Sequence, residues 1–100
     1  MATIKVTAST MRSKKQSLEN DNLKLKRQIS RMDSLESQLM SAWQGEAAKT
    51  FDAVYKRDAV CYSKFHALIE QYCQALDNII KAYEAAEASN VQIARTRSFK

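Results

Sequence analysis

A chain of 100 residues makes one small domain at most. One glycine and no proline exclude a turn-rich β fold, which needs many turn residues, and no apolar run is long enough to span a bilayer. The net charge of +5 is unevenly laid out: residues 1–32 carry eight Lys or Arg against two acids, residues 33–94 five against nine, and residues 95–100 three against none.

Ala2 to Val6, with alternating Ile4 and Val6, reads as a short extended lead-in. Met1 to Thr10 lacks the apolar core of a secretory signal peptide, so any export is expected to proceed without a cleaved signal of that kind. Thr7 is the expected N-cap of the first helix, since its hydroxyl can accept from a free N–H of the first turn; Ser9 and Thr10 are alternatives.

The first helix is predicted from about Ala8 to Ala42. Met11, Leu18, Leu25, Met32 and Leu39 recur at seven-residue spacing, and Ile29 and Leu35 widen the stripe in the second half. Lys14, Lys15, Asp21 and Asn22 occupy positions that should flank it in the first half. Such a repeat favours packing at a shallow crossing angle, as in bundles and coiled coils.

Trp43-Gln44-Gly45 holds the only tryptophan and the only glycine of the chain. A sole glycine between two helical patterns marks a place for the left-handed backbone that ends a helix, so residues 43–45 are expected to be the bend of a helical hairpin. Trp43 is expected to fill the space where the helices diverge. Glu46 would suit the positive end of the second helix.

The second helix is predicted from about Glu46 to Ala88. Tyr62, Phe65, Ile69, Tyr72, Leu76, Ile79 and Tyr83 step by threes and fours, extended toward the bend by Phe51, Val54 and Tyr55. This aromatic stripe is expected to supply most of the core. Asn90 to Lys100 loses the periodicity and is expected to be a flexible basic tail. The fold class is therefore all-α, a single hairpin domain of two long antiparallel helices. A two-helix hairpin buries little, so a partner is expected, most simply a second copy.

No enzyme constellation is visible. His66 is the only histidine and has no cysteine or carboxylate set at ligand spacing, so it reads as a helix-surface or boundary residue. No catalytic residue, metal or cofactor is expected. Cys61 and Cys73 lie about 18 Å apart along a helix at ~1.5 Å per residue, too far for an intrachain disulfide. They read as ordinary helix cysteines, with an interchain bridge as the lesser alternative. Lys14, Lys15, Lys24, Lys26, Arg27 and Arg31 could line a phosphate-binding stripe, yet they spread around the helix. In an antiparallel hairpin they would also lie beside the acidic half of the second helix, so internal pairing is the preferred reading. Tyr83 and Glu87, four residues apart, share one helical face.

Taken together, the length, the two helices, the central Trp43-x-Gly45, the Tyr83-x-x-x-Glu87 near the end and the lead-in Ile4-Lys5-Val6-Thr7 resemble the WXG family of type VII secretion substrates, the early secreted antigenic target-like proteins of Gram-positive bacteria and mycobacteria. The resemblance implies hairpins that dimerise antiparallel into a four-helix bundle. It implies proteins made in the cytoplasm and exported folded, without a cleaved signal peptide, by a membrane complex with an FtsK/SpoIIIE-like ATPase. Tyr83 and Glu87 would then form part of the export signal, near the Trp43–Gly45 bend of the other protomer, and a virulence or chaperone-like role would follow outside the cell. The chain is basic and has two cysteines where many members are acidic and cysteine-free, so a heterodimer with an acidic Trp-x-Gly protein stands beside the homodimer. No small-molecule substrate is expected, and nucleic acid is disfavoured. The alternative reading is a cytoplasmic coiled-coil module that binds nucleic acid through the basic first helix; a third is an amphipathic protein lying on membranes.

Overall fold

The structure is a computed structural model that describes residues 7–98. The expected lead-in at Ala2 to Val6, and the end of the chain at Phe99 and Lys100, lie outside the described residues.

Helix α1 runs Ala8–Ala42. Thr7 is its N-cap: the backbone is extended there, and the side-chain oxygen accepts from Thr10 N–H at 3.1 Å. Met11 N–H then bonds to Thr7 O at 3.0 Å, starting the helical ladder. Helix α2 runs Glu46–Ser98. Its 53 residues give about 80 Å at ~1.5 Å per residue, which accounts for the 84 Å long axis of the molecule.

The helices run antiparallel side by side. Contacts between them descend in α2 as they climb in α1: Arg12 with Glu84, Lys15 with Asp77, Asn22 with His66 and Asp33 with Tyr55. The other two dimensions, 26 and 17 Å, are those of two helices in one layer, each about 10 Å across.

The face that α1 turns to α2 is a second seven-residue line, Ala8, Lys15, Asn22, Ile29 and Glu36, beside the half-buried Met11, Leu18 and Leu25. On α2 the answering positions are Ala48, Tyr55, His66, Ile69, Cys73, Leu76 and Ile80. The hydrophobic core is thin, and Ile80, at 0 % exposure, is its most enclosed side chain.

Three expectations need correction. Residues 90–98 are helical, not a loose tail. No proline or glycine stops the helix after Ala88, alanine and arginine favour it, and Arg95 and Arg97 oppose the negative end of the dipole. The aromatic stripe of α2 does not form most of the hairpin core. Ile69 and Leu76 turn partly toward α1, while Phe65, Tyr72 and Ile79 stay 57, 58 and 56 % exposed. A stripe wide enough for two neighbours has only one. Finally, the pairing of the basic half of α1 with acids of α2 is limited to Arg12 with Glu84 and Lys15 with Asp77 among the described residues.

Candidate functional site

The bend is built from both helix ends. Trp43 caps α1 in extended backbone, φ −118° and ψ 122°, and donates its N–H to Leu39 O at 2.9 Å. Gly45 has φ +113°, a region that side chains with a Cβ rarely adopt. Its carbonyl accepts from Lys49 N–H at 3.2 Å, the first hydrogen bond of the next helix. The glycine therefore opens α2 rather than closing α1. Glu46 sits in the first turn of α2, as its charge favours.

Trp43 fills the gap between the helices only in part. The residue is 36 % exposed, and its ring leans on Phe51 with centroids 5.7 Å apart and planes tilted by 54°. The pair forms an aromatic step at the bend, where Trp43 lines a cleft together with Glu36, Met40, Ala48 and Asp52.

Within that cleft Glu36 is buried, and its Oε1 faces no donor among the described residues. A protonated Glu36 carboxyl would have Asp52 to donate to. The hydrogen bond to Asp52, and then burial, hold the Glu36 carboxyl above the usual glutamate range. Asp52 is held below its usual range, by Lys56 at 2.8 Å first and by Glu36 second. One turn along, Tyr55 donates to Asp33, and that bond, with burial, pushes its hydroxyl pKa up to about 12.

Tyr83 and Glu87 lie near the opposite end of the rod. Both are exposed, and neither side chain has a hydrogen-bond or ion-pair partner among the described residues. They are separated from the bend by about 55 Å of helix at ~1.5 Å per residue. A single hairpin brings Trp43 and Gly45 together and Tyr83 and Glu87 together, but not one pair with the other.

His66 is half-buried at the helix seam. Its Nδ1 lies 2.9 Å from Asn22 Oδ1 and its Nε2 3.0 Å from Glu70 Oε1, while Asn22 Nδ2 donates to the His66 carbonyl at 3.1 Å. This is a positioning network between helices. Cys73 beside it is buried, and burial pushes its thiol pKa up, which leaves it a weak nucleophile at neutral pH. Cys61 is exposed, and both cysteines are free. No cluster of three or more His, Cys, Asp or Glu suited to a metal occurs among the described residues. The seam network was missed from sequence, although Lys15, Asn22, Ile29 and Glu36 repeat every seven residues as regularly as the leucine line.

The model of the family described as proteins of 100 residues with WXG matches residues 3–93. The chain belongs to the WXG100 family. No curated protein matches it, and no solved structure does. WXG100 proteins are known as type VII secretion substrates and generally form dimers. The residues that give the family its name are Trp43 and Gly45, the ends of the connection just described.

Proposed function

We propose that this WXG100 protein is a non-enzymatic substrate of a type VII secretion system, exported folded as a dimer whose two hairpins form a four-helix bundle. The observation that carries this reading is a long apolar face left without a neighbour. Met32, Leu35 and Leu39 of α1 and Phe65, Tyr72 and Ile79 of α2 are all at least one-third exposed. The hairpin exposes 8273 Å², whereas a folded monomer of 11.4 kDa exposes about 5,800 Å². The excess is of the size that obligate interfaces bury, about 2,000 Å² and upward.

An antiparallel dimer would set the Tyr83–Glu87 end of one hairpin beside the Trp43–Gly45 bend of its partner. The two exposed motifs would then form one composite export signal for an FtsK/SpoIIIE-like ATPase. A second copy of this chain is the simplest partner, with another Trp-x-Gly protein as the alternative. A virulence or chaperone-like role outside the cell would follow export. The test is to delete the secretion ATPase in the native host and compare cell pellet with culture medium. The protein should stay in the pellet; unchanged amounts in the medium would overturn the assignment.

A further inference from the structure

The side of α1 turned away from α2 carries a ridge that neither the hairpin nor its apolar face uses. Ala8, Lys15, Asn22, Ile29 and Glu36 face α2. Lys24 and Arg31 come two residues after Asn22 and Ile29, and two steps of about 100° turn them to the opposite side of the helix. Asn20, Lys24, Arg27, Arg31, Ser34 and Gln38 follow one another there at steps of four and three, and all are exposed. They span about 27 Å of axis at ~1.5 Å per residue.

The ridge holds no acid and no apolar residue. The acids of α1 fall elsewhere: Glu19 pairs with Lys15, Asp33 accepts from Tyr55, Glu36 faces Asp52, and Asp21 lies off the line. Lys24, Arg27 and Arg31 have no ion-pair or hydrogen-bond partner among the described residues. The expectation that these cations are spread around the helix and matched internally therefore fails for these three.

We propose that this ridge docks the phosphate backbone of a nucleic acid, without reading base sequence. Arginine, lysine, serine, asparagine and glutamine are the side chains that contact phosphate oxygens, and here they form an unbroken exposed line. A protein partner would want an apolar anchor at the centre of its footprint, and the ridge has none. A lipid surface would want several apolar side chains to insert beside the cations; Leu23 alone flanks the ridge on its other edge, and Met32, Leu35 and Leu39 lie on the side given to the dimer. The ridge remains exposed when that side is covered, so docking is independent of export.

The experiment is fluorescence anisotropy of a short labelled DNA duplex titrated with the full chain. Three phosphate contacts predict a slope of about −2.7 in log affinity against log salt, hence roughly 40-fold weaker binding at about 200 mM than at about 50 mM salt. The triple variant Lys24→Gln, Arg27→Gln, Arg31→Gln should lose most of the binding at the lower salt. Lys64→Gln, an exposed cation on α2, should bind within about twofold of the parent because it lies off the ridge. Circular dichroism checks that each variant keeps its helices. Absent binding at low salt, or a triple variant that binds like the parent, would overturn the proposal. So would capture of the protein by phosphatidylserine vesicles through these three residues with no binding to DNA.

Discussion

Gly45 and Trp43 occupy the same bend but hold it by different means. A Cβ built on Gly45 would meet nothing within 4 Å, so Gly45→Ala strains only the backbone at φ +113°. It should cost on the order of 1 kcal/mol or somewhat more, read as a lower urea midpoint with an unchanged slope. Trp43 is partly exposed and leans on a single ring. Trp43→Ala should therefore cost about 1–2 kcal/mol in the hairpin, less than the ~3 kcal/mol of a fully buried ring; a larger loss would mean that the ring becomes enclosed in the dimer. Glu36 gives a pH signature. A raised carboxyl pKa in the fold contributes stability that is fully present below the ordinary value of 4.5 and is lost as pH rises through the raised one. Asp52 works in the other direction, losing its contribution as pH falls through a value below 3.8. Between these limits the pair shares one proton. Glu36→Gln keeps a donor toward Asp52 at every pH, so its melting temperature should match the parent near pH 4 and exceed it at about pH 7. A difference that does not change with pH would show that Glu36 does not titrate against Asp52.

Among the elements, the helices were legible and their neighbours were not. The Thr7 cap and the start of both helices follow from local chemistry: a hydroxyl at the right offset, one glycine, no proline. The end of α2 is not legible from periodicity, because loss of an apolar stripe is not loss of helix. Asn90 to Ser98 needs no buried face to stay helical when it continues a long helix with no breaker in it. The phase of packing was also hidden. Sequence shows which residues are apolar, and the leucine line of α1 and the aromatic stripe of α2 are the apolar faces that the proposed dimer would cover. Within one hairpin the contact line is rotated from them, onto Lys15, Asn22 and Glu36. The polar seam sets register through Asn22 with His66 and Lys15 with Asp77, while Ile80 supplies packing. Ile80→Ala should destabilise by about 2–5 kcal/mol. Ile79→Ser, one residue away but 56 % exposed, should leave the hairpin folded and instead weaken association. Equal effects of the two on monomer stability would contradict the division of the stripe into an inner and an outer half.

At the scale of the whole molecule the hairpin is a rod, with a radius of gyration of 23.1 Å where a compact chain of this length has about 13 Å. A rod of two helices has no interior large enough to hide its aromatic side chains, so the proposed association rests on shape as much as on composition. Sedimentation at micromolar concentration should show a dimer, alone or with another Trp-x-Gly protein, and Phe65→Ser with Ile79→Ser should shift it to monomer. A parent chain that stays monomeric, well folded and without a partner would contradict the four-helix bundle. The same geometry puts the two halves of the proposed export signal at opposite ends of one hairpin, and the proposed dimer is the unit that would join them. Glu87 is exposed and forms no hydrogen bond or ion pair among the described residues, so Glu87→Ala should change stability by less than about 0.5 kcal/mol. The most direct test of the account is to express Glu87→Ala in the native host and measure the protein in pellet and medium, with circular dichroism and sedimentation on the purified variant. The account predicts a folded, dimeric protein that stays in the cell. Normal amounts in the medium would contradict the role of Glu87 in export.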